Sequence, residues 1–581
     1  MTEAPCKESS LDNAALAEAL LEVAEALDFL DENPFRARAY RKAAHAVADL
    51  REPVRELVES GEINHVRDIG PSIGAALKAW VLEGDFSLLS DLRARLPHGH
   101  AELLKVPGLG TRKLRMLHRD LGISGIEDLL AAIEEGRLAP VKGFTEKGIA
   151  RLRQAALDVL GYRGWFLMDA AWGWMDTMIT SLRNAGLEAV PTGVCRRGME
   201  VMDRVELLCR EDRDTYDIIP TCLDGIQGVR WVRNGREYAL THPDRPPVTI
   251  RVEPPESLIP ALFVTTGSGG HLEQVSARGR ACGVEVTPGA VLRDSRTVMV
   301  SDEAEIYALL GMPLLPPEIR EGRGIEWDRA ASGRVQRLIS ADDIRGVLHI
   351  HTTMSDGRTP LADMVQAARD RGYEWVGISD HSRSAYYAGG LSVKDLRRQQ
   401  EEIARLNDRF PDIAILSGIE SEILPDGSLD YGETVLKGLD FVFASIHSHM
   451  NMEGPAMTER IIKAIRNPCT SVIGHPTGRL LLSRRPYALD MEAILEEAAR
   501  CGVAVELNAH PMRLDIDWRL VPGFVERGGR IVITPDAHTA AGLDCMRYGI
   551  VMARKGLVEP GACLNALDAD HVKEALRARW S

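Results

Sequence analysis

Seven short apolar runs between residue 344 and the end of the chain constrain the fold most strongly, because each ends in residues that can bind a metal. The runs occupy residues 347–351, 375–381, 413–420, 441–447, 470–475, 503–509 and 530–538. Amphipathic helical segments separate them, an alternation typical of parallel β/α folds. Because the C-terminal ends of parallel strands meet on one face of a barrel, we expect these distant residues to converge there.

Ten side chains at or just beyond these strand ends could ligate a cation. They are His349, His351, Asp356, Asp380, His381, Glu420, His447, His475, Asp536 and His538. Imidazoles and carboxylates without thiolates favour Zn²⁺, Mn²⁺ or Fe²⁺. So many ligands exceed one tetrahedral site, which predicts about two or three divalent cations and a centre suited to phosphoester hydrolysis. The alternative, that each histidine is an ordinary core or surface residue, does not explain their shared position.

Residues 10–160 are predicted to be almost entirely helical, with two glycine-bearing turns in VRDIGPSIGAALKAW and VPGLGTRKLRML. Glycines let such turns expose backbone N–H groups to a phosphate oxygen, a contact that ignores base sequence. A plain turn between helices is the alternative for each motif alone. The candidate DNA-binding residues are Gly70, Gly74, Gly108, Gly110, Thr111, Arg112 and Lys113.

Composition limits the remaining classes. The chain has 581 residues, enough for about four domains. Its net charge of −15 excludes a uniformly basic nucleic-acid coat, so DNA contacts must be local. We expect neither a signal peptide nor a membrane span, because no basic n-region with an apolar run and no long uncharged apolar stretch occurs. Nine dispersed cysteines predict reduced thiols and a cytoplasmic location.

The motifs LHIHTTMSDG, SDH, GIE, SIH, GHPTGR, ELNAHPMRLD and TPDAH resemble the PHP (polymerase and histidinol phosphatase) domain over about residues 344–560. The resemblance implies a distorted (β/α)₇ barrel with a trinuclear centre. Its ligands, which would also be the catalytic residues, are His349, His351, Asp356, His381, Glu420, His447, His475, Asp536 and His538. Arg479 and Arg513 would clamp phosphate, since a guanidinium binds phosphate bidentately.

Further motifs extend the resemblance to nearly the whole chain. NPFRARAYRKAA, VPGLGTRK, GVCRRG, TTGSGGH and EIYALLGMPLLPPEIRE resemble a bacterial family X DNA polymerase with a PHP extension. The implied order is an N-terminal helical domain (1–90) and a fingers-like helical domain (91–164), each with one helix-hairpin-helix motif. A degenerate palm-like nucleotidyltransferase domain (165–255), a thumb-like domain (256–325), a linker (326–343) and the PHP metallo-phosphoesterase domain (344–581) follow.

The polymerase pattern breaks at its metal carboxylates. The family's Gly-Ser…Arg-Arg strand corresponds here to Gly193, Arg196 and Arg197, and its Asp-x-Asp pair falls on Arg204 and Glu206. The third aspartate position falls on Thr249. An arginine beside a divalent ion is repulsive, so the sequence disfavours Mg²⁺ at the palm and predicts an inactive polymerase core.

We therefore expect a DNA-binding, metal-dependent phosphoesterase, a 3′→5′ exonuclease acting in DNA repair. Its partner would be DNA with gapped, nicked or single-stranded 3′ ends, bound without sequence preference by a monomer. One alternative is an active gap-filling polymerase with a PHP exonuclease. Another is a non-catalytic scaffold at DNA ends. A small-molecule phosphatase would leave the hairpins unexplained.

Overall fold

A computed structural model describes residues 13–48, 50, 52–84 and 86–580. The chain forms two compact units, Met1–Arg163 and Gly164–Ser581. Cys6 and the N-terminal segment in which no signal peptide is predicted lie outside the described residues. None of the described helices combines the length and apolar character that crossing a bilayer requires.

The described part of the first unit is helical. Its helices are α1 (Asn13–Phe29), α2 (Pro34–Ala48), α3 (Val54–Glu59), α4 (Pro71–Lys78), α5 (Ser87–Arg95), α6 (His100–Leu104), α7 (Thr111–Leu121), α8 (Ile126–Glu134) and α9 (Glu146–Gly161). One apolar core joins α1 to α5, and Tyr40 and Trp80 are buried in it. A second core joins α6 to α9. The helical prediction for this region is confirmed.

The second unit begins with a mixed sheet. Its elements are β1 (Phe166–Leu167), α10 (Met168–Asn184), β2 (Ala189–Thr192), α11 (Gly193–Arg197), β3 (Val201–Met202), β4 (Val205–Arg210), α12 (Thr215–Asp224), β5 (Arg230–Asn234), β6 (Glu237–His242) and β7 (Arg245–Glu253). Five strands form one sheet in the order β2-β4-β7-β6-β5. Strands β4 and β7 are parallel, and the other pairs are antiparallel.

A small helical region with a three-stranded sheet follows. It contains α13 (Pro255–Thr266), α14 (Gly269–Cys282), β8 (Val284–Val286), β9 (Val291–Arg293), β10 (Arg296–Val298) and α15 (Glu303–Leu309). The segment 326–343, expected to be a linker, contains most of α16 (Ile325–Ala331) and two short 3₁₀ turns. Arg329 and Ile339 are buried, so this segment packs into the second unit.

The rest of the unit is a barrel. Its elements are β11 (Gly346–Val347), α17 (Leu361–Asp370), β12 (Trp375–Ile378), α18 (Val393–Arg409), β13 (Ala414–Glu422), α19 (Glu433–Leu436), β14 (Phe441–Ser445), α20 (Gly454–Arg466), β15 (Val472–Ile473), α21 (Met491–Cys501), β16 (Ala504–Asn508), α22 (Val521–Glu526), β17 (Ile531–Thr534), α23 (Met546–Lys555) and α24 (Ala569–Arg577).

All seven strands are parallel and neighbour one another in chain order. A bridge between Ile350 and Ala537 links the first strand region to the last and nearly closes the barrel. Large apolar side chains fill its interior, and glycines make room for them: a Cβ on Gly418 would lie 2.2 Å from the ring of Phe441. The predicted barrel is confirmed, and its C-terminal rim is left to polar side chains.

Lys555, at the end of α23, ties the barrel to the rest of the second unit. Its buried ammonium donates to the Arg197 carbonyl oxygen at 3.0 Å, the Glu318 carbonyl oxygen at 3.1 Å and the Glu321 carboxylate at 2.6 Å. Burial lowers the pKa of Lys555, and Glu321 opposes that shift. This contact holds three successive parts of the chain together.

Replacing Lys555 with methionine should destabilise the second unit. The substitution leaves two carbonyls and part of a buried carboxylate without their donor, which costs about 3 kcal/mol of unfolding free energy. Urea unfolding of the full chain measures it. The control is Lys573→Met, which removes a half-exposed ammonium paired with Asp440 and should cost under about 1 kcal/mol. Equal effects of the two substitutions would contradict this account of Lys555.

Candidate metal centre

Nine of the ten candidate side chains converge at the C-terminal rim of the barrel. They form four overlapping groups whose ligand atoms lie within 4.8 Å of one another. The groups are His351, Asp356, His381 and His538; His349, His351 and Asp536; His349, Glu420 and His475; and His381, Glu420 and His447. Side chains from six strand ends and one following loop thus meet, as the barrel topology predicts.

The Glu420 carboxylate occupies the middle of this cluster. Its Oε1 lies 3.2 Å from Nε2 of His349 and 2.9 Å from Nε2 of His475. Its Oε1 is also 3.2 Å from Nε2 of His447, and its Oε2 is 2.9 Å from Nδ1 of His381. One carboxylate therefore faces four imidazoles, and each of its oxygens could serve a different cation.

Several buried ligand atoms have no hydrogen-bond partner among the described residues. They are Nε2 of His349, both ring nitrogens of His351, Nδ1 of His381, Nδ1 of His475 and Oε2 of Glu420. A buried polar atom left unsatisfied costs about 1–3 kcal/mol, so such a concentration needs an explanation. Imidazole nitrogens and carboxylate oxygens are the donors that Zn²⁺, Mn²⁺ and Fe²⁺ accept. The residues present therefore fit divalent cations.

The charges within the cluster are strongly coupled. Burial opposes protonation of His349, but Glu506, Asp536 and Glu420 together raise the pKa of His349 well above its usual value. Burial likewise opposes protonation of His381, yet Glu420 and Asp356 raise its pKa to about 10. Burial, reinforced by His381, lowers the pKa of His351 to about 3. Without cations, protons on the imidazoles balance the carboxylates.

The backbone at the rim is strained where ligands leave the strands. His349 has φ of 62°, Asp536 has φ of 50° and His475 has φ of 24°. Non-glycine residues rarely adopt this left-handed region, and surrounding structure must stabilise them in it. Here the strain turns the side chains inward over the barrel.

An outer ring of carboxylates orients the imidazoles. Glu506 accepts from Nδ1 of His349 and from the backbone N–H of His475. Glu422 accepts from Nδ1 of His447 at 2.9 Å and from the Ser448 hydroxyl at 2.6 Å. Such partners fix the ring orientation and raise ligand basicity. The sequence analysis missed both residues, although Glu422 lies two positions after Glu420 and so on the same strand face.

Asp380, the tenth candidate, belongs to this outer ring and to none of the four groups. Its carboxylate accepts from the backbone N–H and hydroxyl of Thr352, both at 2.7 Å, and from Ser355 and Gln399, both at 2.5 Å. With its oxygens engaged in this way, Asp380 holds the loop that carries Asp356.

The two predicted phosphate clamps have different surroundings. Arg513 lies at the centre: its Nε is 3.0 Å from Oδ2 of Asp536. Among the described residues, none accepts a hydrogen bond from the terminal amino groups of Arg513. Arg479 instead donates to the backbone carbonyls of Arg513 and Leu514 and pairs with Asp517 at 3.3 Å. These contacts brace that loop, and the phosphate-binding role of Arg479 stays a prediction.

The cluster opens to solvent on one side. Asp356 and His538 have side chains 34% and 36% exposed, whereas His349 is fully buried. Arg484, which the sequence analysis missed, is half-buried and donates to the Gly478 carbonyl oxygen at 2.8 Å. Burial, followed by the positive charge of Arg513, lowers the pKa of Arg484.

In the first unit, the glycine turns precede helix N-termini as predicted. Gly70 and Gly110 are exposed and immediately precede α4 and α7. Gly74 is buried, and a Cβ there would lie 2.0 Å from the Asn64 side chain. Gly108 has φ of 85°. Helix α7 therefore offers its first N–H groups to an anion, whereas α4 begins with Pro71, which has no N–H, so Ser72 has the first one there.

The three residues after the second glycine turn begin α7. Thr111 is half-buried, and Arg112 and Lys113 are exposed. Lys113 also donates to the Gly108 carbonyl oxygen at 3.0 Å. The turn thus combines exposed N–H groups with two cationic side chains.

In the mixed sheet, Glu206 and Thr249 are paired positions on the parallel strands β4 and β7. The Glu206 carboxylate lies over Gly193, where a Cβ would be 1.9 Å from its Oε2. Arg204, just before β4, is mostly exposed and pairs with Asp203 at 2.7 Å. Among the described residues, the groups that could hold a cation include none of these side chains.

The two arginines of GVCRRG have internal carboxylate partners. Arg196 pairs with Glu303 at 2.5 Å, and Arg197 pairs with Glu321 at 3.1 Å. Arg320, almost fully buried, pairs with the other oxygen of Glu303 at 2.5 Å. Two carboxylates are thus shared among four cationic groups: Arg196 and Arg320 pair with Glu303, and Arg197 and Lys555 pair with Glu321.

Comparisons with known proteins agree with this architecture. The helix-hairpin-helix domain family matches residues 11–86, the DNA polymerase beta thumb family residues 261–321, and the PHP domain family residues 348–510. The DNA polymerase/3′-5′ exonuclease PolX of Bacillus subtilis is 32% identical over 571 residues, covering 96% of this chain and 97% of that protein. A probable phosphatase of Caldanaerobacter subterraneus is 30% identical over 179 residues, covering 28% of this chain and 63% of that protein.

Fold and site together define a protein that joins DNA-polymerase-type domains to a PHP barrel. The chain belongs to the family X DNA polymerases with a PHP domain, the family of B. subtilis PolX. This confirms the resemblance drawn from the motifs. Membership of this family, with its helix-hairpin-helix and thumb regions, implies a DNA partner.

Replacing Glu506 with glutamine should weaken metal binding about 10- to 100-fold, because an outer-ring carboxylate sets the basicity and orientation of its histidine. Chelator competition on the full chain measures the affinity. The matched control, Glu496→Gln, alters an exposed glutamate of α21 and should leave the affinity unchanged. Equal affinities for Glu506→Gln and wild type would exclude the orienting role.

Metal loading should also release protons at neutral pH. His349, His381 and His447 have raised pKa values, so cations displace on the order of two to three protons from them. Affinity should accordingly fall as pH is lowered. Calorimetric titration with Mn²⁺ or Zn²⁺ in buffers of different ionisation enthalpy counts the released protons. Uptake without proton release would contradict the charge balance described above.

Proposed function

We propose that the protein is a DNA-directed, metal-dependent phosphodiesterase that removes nucleotides from DNA 3′ ends in the 3′→5′ direction during DNA repair. The observation that carries the proposal is the set of nine converging side chains with unpaired buried ligand atoms. The cofactors would be two or three divalent cations of Zn²⁺, Mn²⁺ or Fe²⁺, held by those nine residues. A cytoplasmic location is proposed as well, because it suits a protein that acts on DNA.

Each part of the centre has a defined task in this proposal. Bound cations supply Lewis-acid polarisation of a phosphoryl oxygen and neutralise charge on the leaving oxygen. Arg513, and Arg484 beside it, attract the phosphodiester at the open side. Glu506 and Glu422 keep the imidazoles oriented. His538 and Asp356, which are the most exposed members of the cluster, are placed to exchange protons with water.

DNA would reach the centre through contacts that ignore sequence. The exposed turns before α4 and α7 offer backbone N–H groups to phosphate oxygens, and Arg112 and Lys113 add positive charge. This suits gapped, nicked or single-stranded 3′ ends, where the backbone is accessible. A monomer suffices for such binding, and the monomeric state stays a prediction.

The palm-like region is proposed to be inactive as a polymerase. Support comes from the pairing of Glu206 with Thr249 rather than an aspartate, and from Arg204 at the other metal position. Internal pairing of Arg196 and Arg197 with glutamates also supports it. The alternative, a gap-filling polymerase with a PHP exonuclease, is favoured by the name of the B. subtilis relative.

Digestion of 5′-labelled single-stranded, gapped and recessed DNA with Mn²⁺ or Zn²⁺ tests the exonuclease. Wild type should give a ladder of progressively shorter labelled strands. His349→Ala should lower the rate by at least about 100-fold, since it removes a ligand that two groups share. The control His571→Ala changes an exposed histidine of α24 and should retain the wild-type rate. If the wild-type protein digests none of these substrates, the exonuclease proposal is wrong and the non-catalytic scaffold is the hypothesis that remains.

Primer extension on a gapped template with Mg²⁺ or Mn²⁺ tests the palm separately. We expect no extension by wild type or by the His349→Ala variant, in which product degradation is suppressed. Extension that is abolished by Glu206→Ala would instead establish the gap-filling alternative.

A further inference from the structure

The loop after β12 presents two adjacent tyrosines to solvent. Tyr386 is 87% exposed and Tyr387 is 71% exposed. They lie in a 3₁₀ turn, Tyr386–Ala388. Ala385 and Ala388, on either side of the pair, are each only 3% exposed. The alanines thus anchor the turn while both phenol rings project outward, although large aromatic side chains are normally favoured in cores.

The loop itself is firmly held. The backbone N–H of Leu391 donates to the His381 carbonyl oxygen at 2.8 Å, and the Ser382 hydroxyl donates to Asp430 at 2.7 Å. The backbone N–H of Ala388 donates to the Ala385 carbonyl oxygen at 3.0 Å. Gly390 lets the chain pass close to Ser382, whose carbonyl oxygen would be 1.9 Å from a Cβ there. The tyrosines are therefore displayed on a preorganised support, which reduces the entropy lost on binding.

The pair adjoins the open side of the metal centre. The ring centroid of Tyr387 is 6.4 Å from that of His381. Partial burial of its hydroxyl end, followed by the carboxylates of Glu420, Glu422 and Asp356, raises the pKa of Tyr387. The ring of Tyr387 is therefore both largely exposed and close to the cluster.

The same loop also carries a positively charged side chain. Arg383 is exposed, and its guanidinium lies 5.7 Å from the ring centroid of Tyr431. Tyr431 is itself buried, so Arg383 contributes its charge to the loop that presents Tyr386 and Tyr387. Exposed aromatic rings and a positive charge on one surface are features that bind single-stranded nucleic acid without sequence preference, by stacking and by phosphate contact. The chain has a net charge of −15, so a positive charge together with exposed aromatic rings near the proposed phosphodiester-binding site is a local exception to its acidic character.

We propose that Tyr386 and Tyr387 form a stacking platform for the unpaired bases at the 3′ end of the DNA strand whose terminal phosphodiester lies at the metal centre. The platform would hold the strand end in register with the centre and would favour frayed or single-stranded ends over paired ones. This inference rests on the proposed exonuclease function and adds the group that this function recognises.

The test compares an oligothymidylate with the same strand carrying abasic residues at its two 3′-terminal positions. The measured quantity is the ratio of kcat/KM for the two substrates, each digested by the full-length protein. Replacing both tyrosines with alanine should lower this ratio about tenfold, which corresponds to about 1.4 kcal/mol. Replacing both with phenylalanine should restore it. The control Val232→Ala, an exposed apolar residue of β5, should keep the wild-type ratio.

An equal loss on both substrates would overturn the platform, because it would show no dependence on bases. The Tyr386→Ala single variant repeats the measurement with a smaller change if the double variant unfolds. Binding of a strand with 3′-terminal 2-aminopurine, in EDTA, gives a readout without turnover. Stacking should quench its fluorescence in wild type and not in the alanine variant. Quenching without digestion would refute the exonuclease alone, and digestion without base dependence would refute the platform alone.

Discussion

The carboxylate of Glu420 is the constraint around which the second unit is built. It is 1% exposed and faces four imidazoles within 3.2 Å. An ionised carboxylate cannot be buried without compensating charge, and the imidazoles of His349, His381 and His447 supply it by holding protons at raised pKa values. Divalent cations can replace those protons. The charge of the buried carboxylate is therefore balanced by protons before a divalent cation binds.

Only a nearly closed barrel can bring such residues together, because they come from strands almost 190 residues apart. The interior of the barrel is apolar and its C-terminal rim is polar. The two regions meet where the ring of Phe443 lies 4.6 Å from that of His349. The apolar interior supplies hydrophobic stabilisation. That stability offsets the left-handed backbone of His349, Asp536 and His475 and the unsatisfied ligand atoms at the rim.

Sequence reasoning could predict the barrel and its cluster because fully buried parallel strands leave continuous apolar runs, and because polar residues after them share one location. It did not predict the role of Glu506, since a glutamate within an apolar strand shows no partner until the barrel brings His349, from the distant end of β11, into contact with it. The contacts that Arg479 makes could not be predicted for a related reason. Its partners, the carbonyls of Arg513 and Leu514, lie on a loop more than 30 residues away, and backbone acceptors are invisible in a motif.

The balance of charges also distinguishes the metal centre at the barrel rim from the palm-like region. At the barrel rim, acidic groups outnumber fixed cations and leave room for metal. In the palm-like region, arginines stand opposite the protein's own glutamates. An anionic nucleotide at Arg196 and Arg197 would have to displace Glu303 and Glu321 from pairs that are mostly buried. These partners of Arg196 and Arg197 support the proposal that the palm is inactive as a polymerase, and the barrel rim is then the proposed site of phosphate chemistry.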